Sequence, residues 1–238
     1  MTKNNKSIAS IVKDTGLRHI AFIMDGNGRW AQKRGFPRTF GHKEGVKVFD
    51  KLARYCSEIG LEAVTVYAFS TENWKRPKKE VDTLMDLIDE YLDEFVKQIC
   101  DYDVRLKFIG DMSALSPKLQ EKIKNVEALS LNNTCRLCVA LNYGGRDEIV
   151  HACNELISQG VQQITEQDIC DHLYTANIPD PDLIVRTGGE MRLSNFLLWQ
   201  AAYSEFYSTE KLWPDMKPED VDQAILSFSQ RSRRFGGV

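Results

Sequence analysis

The 238 residues are enough for one large domain or two small ones. With 42% hydrophobic and 27% charged residues and a formal net charge of −3, the composition is that of a soluble globular enzyme and lacks the basic excess of a nucleic-acid binder. No run approaches ~18 apolar residues and residues 1–14 hold no apolar signal core, so a cytoplasmic protein is expected, with any membrane contact made peripherally or through the substrate.

Residues 1–18 read as a mobile N-terminal segment. The first predicted strand, 20–24, runs into Asp25-Gly26-Asn27-Gly28-Arg29. The glycines let the backbone turn sharply and approach an anion, and Arg29 offers a permanently charged fork for phosphate oxygens. Residues 29–34 are predicted to start a helix whose free N–H groups favour phosphate. Asp25 alone would repel phosphate, so its presence points to a bridging Mg²⁺. A plain β-turn after an edge strand is the alternative. Trp30 follows directly. Arg38 and His42 fit the same anion, and His42 opens a predicted helix over 42–59 with Val46, Phe49, Ala53 and Cys56 on one face.

A second predicted strand, 63–69, delivers the loop Ser70-Thr71-Glu72-Asn73-Trp74-Lys75-Arg76-Pro77. Ser70 and Asn73 have the hydrogen-bonding groups for a substrate, and Trp74 has the surface to pack on one; a capped connection to the next helix is the plainer reading. That helix, about 79–100, carries an apolar stripe wider than one core face needs, from Val81 and Leu84 through Tyr91 to Ile99. It is either sandwiched between layers or forms the wall of a hydrocarbon cavity.

Further strands are predicted at 104–109, 136–142 and 183–186, with a less distinct one at 205–207. Among the six cysteines, Cys135 and Cys138 form a CxxC inside the fourth strand, where residues three apart point to opposite faces, so buried structural thiols are expected. The fifth strand ends on Arg186 and opens Thr187-Gly188-Gly189-Glu190-Met191-Arg192-Leu193-Ser194-Asn195. Two arginines, a hydroxyl and two glycines read as a diphosphate clamp; pairing of Arg186 with Glu190 is the alternative. Glu205, in an apolar and aromatic stretch, is the natural second carboxylate for a metal near Asp25. The C-terminal basic run from Arg231 to Gly237 is either a solvated tail or an arm reaching a phosphate, on a neighbouring subunit if the protein assembles.

Strands alternating with helices, several of them apolar throughout, define an α/β fold: one domain over 1–238 with a mostly parallel sheet covered on both faces. Ligands in such sheets bind outside the carboxyl ends of the strands. Loops 25–29, 70–77, 142–146 and 187–195 all fall there. Two phosphate cradles in one site suggest an enzyme that joins two phosphorylated substrates.

HIAFIMDGNGRWA, FSTENWKRP, NYGGRDEI, PDPDLIVRTGGEMRLSNFLLWQ, AYSEF and RRFGG, in this order over residues 19–237, resemble the cis-prenyltransferase family. The resemblance implies a homodimer of single α/β domains, each with a six-stranded, mainly parallel sheet and an apolar tunnel partly walled by the helix at 79–100. It implies repeated condensation of isopentenyl diphosphate onto an allylic diphosphate such as farnesyl diphosphate, with Mg²⁺, each new double bond cis. By motif, Gly26, Asn27, Gly28, Arg29, Trp30, Arg38, His42, Trp74 and Arg76 hold the allylic diphosphate. Arg186, Arg192, Ser194, Arg234 and Gly236 hold isopentenyl diphosphate, the last two reaching across the dimer. Asp25 and Glu205 are the metal-associated acids, and the catalytic residues are Asp25, His42, Ser70 and Asn73, of which Ser70 and Asn73 lie where the reacting carbons meet. The aspartate-rich DDxxD signature of trans-prenyltransferases is absent from the sequence. Rival readings are a cis-prenyltransferase of another product length, a non-catalytic partner subunit, and a phosphatase with Asp25 as nucleophile.

Overall fold

The computed structural model describes residues 7–98 and 103–231. The expected mobile N-terminus is not found in its described part. Ile8–Thr15 forms helix α1, capped by the Ser7 side chain, stopped by Gly16 at φ 68°, and anchored by buried Val12 and Leu17. Its apolar stripe packs against the last helix, α8 (Pro218–Ser229).

Six strands follow the predicted positions to within one or two residues: β1 His19–Ile23, β2 Ala63–Ser70, β3 Val104–Ile109, β4 Cys135–Tyr143, β5 Leu183–Arg186 and β6 Glu205–Ser208. They form one sheet in the order β3-β4-β2-β1-β5-β6, with every neighbouring pair parallel. Burial on both faces explains the apolar runs. On β1, Ile20 and Phe22 face one core while Ala21 and Ile23 face the other. The two thiols of the CxxC are buried in β4, and burial pushes Cys138 up to about 12, so they behave as packing groups.

The connecting helices are α2 (Asn27–Lys33), α3 (Arg38–Glu58), α4 (Lys78–Gln98), α5 (Pro117–Leu129), α6 (Gly145–Ser158) and α7 (Glu166–His172). The chain leaves β1 toward β2 on one side and later returns to β5 on the other. Strand order therefore reverses at β1, and the carboxyl ends of β1, β2 and β5 border the crevice where such folds bind ligands. A register shift between Tyr67 and Phe69 makes Ala68 a bulge beside that crevice.

At the opposite end of β1, His19 is fully buried, its Nδ1 2.6 Å from the Pro179 carbonyl and its Nε2 2.8 Å from Thr65 Oγ1. Burial lowers its pKa to about 4. The unfolded chain binds this proton near pH 6.5 and the folded chain only near 4. The stabilising contribution is thus complete above about 6.5 and is lost as pH falls to about 4, a change on the order of 3 kcal/mol. Denaturant midpoints measured over that window should fall steeply for the native chain and less for His19→Gln.

Candidate active site

Asp25 leaves β1 with its carbonyl fixed by Thr187 Oγ1 (2.6 Å) and Trp213 N (3.1 Å). Its carboxylate is thereby held between two guanidiniums: Oδ2 lies 3.0 Å from Arg186 Nη2 and Oδ1 3.2 Å from Arg29 Nη2. Two glycines make the approach possible. A Cβ on Gly28 would meet the Arg38 guanidinium at 2.7 Å, and one on Gly188, at φ 85°, would meet Arg29 Nη2 at 2.2 Å. The two glycine loops therefore interlock through Arg29 and Arg186.

Arg186 is buried, its side chain 5% exposed. It donates to Ser194 Oγ at 2.7 Å and to the Arg192 carbonyl, while its Nε is buried without a partner. A buried guanidinium with an unspent donor is suited to an incoming anion. Glu190 does not pair with Arg186; it takes Arg192 Nη1 at 2.5 Å.

Glu80, in the first turn of α4, escaped the reading of the sequence. Its side chain is 12% exposed and gathers Arg76 (2.9 Å), Arg38 (3.5 Å) and His42 (3.5 Å). Its i,i+4 spacing from Arg76 was the available signal. Burial would raise the Glu80 carboxyl, but Arg76 and Arg38 outweigh it and hold it below the usual range. Burial, aided by Arg76, lowers His42 despite Glu80, so the imidazole is neutral near pH 7.

Ser70 and Asn73 line the cleft and brace each other, Asn73 Oδ1 accepting from Ser70 N at 3.2 Å. Glu72 reaches across to Asn195 Nδ2 (3.0 Å), clasping this loop to the second cradle. Residues 142–146 stand behind the cleft instead of lining it: Gly145 N and Arg146 N hold Asn195 at 2.7 and 2.9 Å. Fully buried Glu148 braces the same region, accepting from Tyr174 N and Gln200 Nε2, each at 3.0 Å.

Four of the expected residues, Trp30, Trp74, Arg192 and Glu205, do not line the cleft in this structure. Trp30 turns from the cleft, its Nε1 donating to Asp215 Oδ1 at 2.7 Å under the Arg34 guanidinium. Trp74 spends its Nε1 on Asn142 Oδ1 (2.7 Å) and packs edge-on against Phe69. The Arg192 guanidinium is 59% exposed beside Glu190, and only its carbonyl joins the site. Glu205 is not brought to Asp25. It opens β6 in register with Leu183, at the amino edge of the sheet, and pairs with Arg231 at 2.6 Å, whereas Asp25 lies past the carboxyl edge. Arg234 and Gly236 lie outside the described residues.

Among the described residues no group of three His, Cys, Asp or Glu side chains is placed to hold a metal. Asp25 alone still fits Mg²⁺, which commonly binds through one or two carboxylates and takes its remaining ligands from substrate phosphates and water. Its 30% exposure on the cleft side leaves that access open.

The polar cleft, about 550 Å³, gathers Asp25, His42, Ser70, Asn73, Arg76 and Arg186. Behind it lies an apolar cavity of about 90 Å³ between α3, α4 and the sheet, reaching Phe49, Val66, Tyr91, Phe108 and Val139. Met24, Asn27, His42, Ala68 and Leu84 line both spaces, so the two lie side by side.

An arginine-bearing polar cleft thus stands beside an apolar chamber at the switch point of a parallel α/β sheet. Residues 23–236 match a family model described as "Putative undecaprenyl diphosphate synthase". An isoprenyl transferase of Fusobacterium nucleatum is 52% identical over 222 residues, covering 93% of this chain and 96% of that one. An isoprenyl transferase of Listeria innocua is 50% identical over 228 residues, covering 93% and 90%. The crystal structure of lavandulyl diphosphate synthase from Lavandula x intermedia, in complex with dimethylallyl diphosphate, superposes with a TM-score of 0.89 at 37% identity over 94% of this chain and 99% of that one. That of a probable undecaprenyl diphosphate synthase from Campylobacter jejuni gives 0.78 at 38% identity over 92% and 98%. The chain belongs to this prenyltransferase family and is a transferase of the cis-prenyltransferase type.

Proposed function

We propose that the chain condenses isopentenyl diphosphate repeatedly onto farnesyl diphosphate with cis geometry, and that its product is undecaprenyl diphosphate, precursor of a lipid carrier for cell-wall synthesis. The observation that carries this reading is the wall that the polar cleft and the apolar cavity share, formed by Met24, Asn27, His42, Ala68 and Leu84. A diphosphate head joined to a hydrocarbon tail needs those two environments side by side. The bound dimethylallyl diphosphate of the lavandulyl relative supports an allylic diphosphate in the same fold.

In this reading Gly26, Asn27, Gly28, Arg29, Arg38, His42 and Arg76 hold the allylic diphosphate, and Arg186 with Ser194 holds isopentenyl diphosphate. As the allylic C–O bond breaks, charge gathers on the leaving diphosphate, where preorganised arginines stabilise it without reorganising. A Mg²⁺ ion on Asp25 would add neutralising charge at a diphosphate. Arg186 and Ser194 orient the second substrate so that its terminal carbon faces the primer. A proton then leaves C2 of the new unit; Asp25, His42, Asn73 with Ser70, and the released diphosphate are the acceptors at hand. A homodimer, working in the cytoplasm with peripheral membrane contact through the product, completes the proposal. No helix among the described residues is long and apolar enough to cross a membrane.

The test is chromatographic sizing of the products from farnesyl diphosphate and labelled isopentenyl diphosphate. Chains of undecaprenyl length are expected. Products only one or two units longer than the primer would overturn the product assignment while leaving the reaction class in place.

A further inference from the structure

From Ser194 onward the chain passes through three non-glycine residues in the left-handed region: Ser194 at φ 52°, Asn195 at 64° and Leu197 at 45°. Such backbone is disfavoured for L-residues and persists only where its surroundings hold it. The first turn of α6 supplies the hold with N–H groups that have no partner inside the helix. Gly145 N donates to the Asn195 carbonyl at 2.7 Å, and Arg146 N donates to Asn195 Oδ1 at 2.9 Å.

With Oδ1 held by a backbone N–H, the Asn195 amide has one orientation. Its Nδ2 then faces the Glu72 carboxylate and donates to Oε1 at 3.0 Å. Glu72 stands between Ser70 and Asn73 in sequence, Asn195 follows Ser194, and all five line the polar cleft. One side-chain bond thus ties the Ser70–Asn73 loop to the loop that carries Ser194, and α6 anchors the joint. Thr71 Oγ1, donating to Asp147 Oδ2 at 3.2 Å, fastens the first loop to the same helix. Gly144 leaves room for this convergence. A Cβ there would meet Asp147 Oδ2 at 2.5 Å, Asn195 Nδ2 at 2.8 Å and Thr71 Oγ1 at 2.9 Å. Its φ of −151° is ordinary extended backbone, so glycine is required by the close approach and not by conformation.

We propose that Asn195 is a positioning residue for the condensation: through Glu72 it sets the spacing between the Ser70–Asn73 loop and Ser194, and so between the two reacting substrates. The inference rests on the division of the cleft into two subsites given above. Reacting atoms must be held about 3–3.5 Å apart, and a misplacement on the order of 1 Å costs about a hundredfold in rate. Loss of the clasp therefore falls mainly on kcat. A smaller rise in KM for isopentenyl diphosphate follows from the shift of Ser194. The allylic KM stays in place, because Arg29, Arg38 and His42 stand on α2 and α3, away from the joint.

The test reverses donor and acceptor across the contact in the full chain. Asn195→Asp keeps the acceptor for Arg146 N and tolerates the left-handed backbone, but sets a second carboxylate against Glu72. It is expected to lower kcat for isopentenyl incorporation by about a hundredfold with the allylic KM unchanged. Adding Glu72→Gln supplies an amide that donates where Asn195 did, and the pair is expected to recover most of the lost kcat. A folded pair as slow as Asn195→Asp alone overturns the proposal, as does an allylic KM that rises in step with that for isopentenyl diphosphate. Glu72→Ala, at an exposed position, provides a second arm should Asn195→Asp not fold. It is expected to show the same fall in kcat, and a native kcat overturns the proposal. No isopentenyl incorporation by the native chain defeats instead the reading of the site on which the inference rests, and the inference with it.

Discussion

Asp25→Ala is expected to lower isopentenyl incorporation by about three powers of ten or more, the scale on which removal of a charge-managing group at a reacting centre is felt. The backbone around Asp25 is held by Thr187 and Trp213 through its carbonyl, so the loop's path does not depend on the carboxylate. What the variant loses is the counter-charge between Arg186 and Arg29. Because Arg186 is buried while Asp25 is partly open, stability should also fall, by about 1–3 kcal/mol. Inorganic diphosphate supplies the missing negative charge and should restore part of the melting temperature without restoring turnover. Near-normal incorporation would remove Asp25 from the mechanism. Lost activity with stability that diphosphate cannot recover would show that the arginines do not meet the anion.

Arg186→Lys is the second large effect. The guanidinium simultaneously meets Asp25, Ser194 and the Arg192 carbonyl and keeps a further N–H unspent. A lysine ammonium is a point charge on a flexible stem and cannot reproduce that fork. Loss of one or two charge-assisted hydrogen bonds, about 1.5–3 kcal/mol each, should reduce kcat/KM by about a hundredfold or more. The rise in KM should fall on isopentenyl diphosphate much more than on the allylic primer. Equal effects on both substrates would undo the division of the cleft into two subsites.

The sheet was legible because strands buried on both faces leave uninterrupted apolar runs, and β1 to β6 fall where those runs stand. The loops were legible because Gly, Asp and Arg in close succession have few structural uses. Helix α1 went unread because its stripe is short, although Ser7 and Gly16 mark its two ends. Side-chain direction was not legible. Trp30, Trp74 and Arg192 sit beside functional residues in the chain, yet each finds a nearer partner in Asp215, Asn142 or Glu190. Glu205 was not placed by its sequence for a related reason: its neighbours in sequence are functional-looking, but the parallel register of β6 sets it at the far edge of the sheet from Asp25 within the chain. Glu80 was overlooked because a lone acid on a helix looks like solvated surface until Arg38, His42 and Arg76 are seen around it.

The central claim is that one cleft joins two diphosphate substrates and sends a cis-linked chain into the apolar interior. Its most direct measurement is the incorporation of ¹³C-labelled isopentenyl diphosphate into farnesyl diphosphate by the intact chain with Mg²⁺, followed by NMR of the extracted product. The expected result is several added units per primer, every new double bond cis. Phosphate release without chain growth, or new double bonds that are trans, would contradict it.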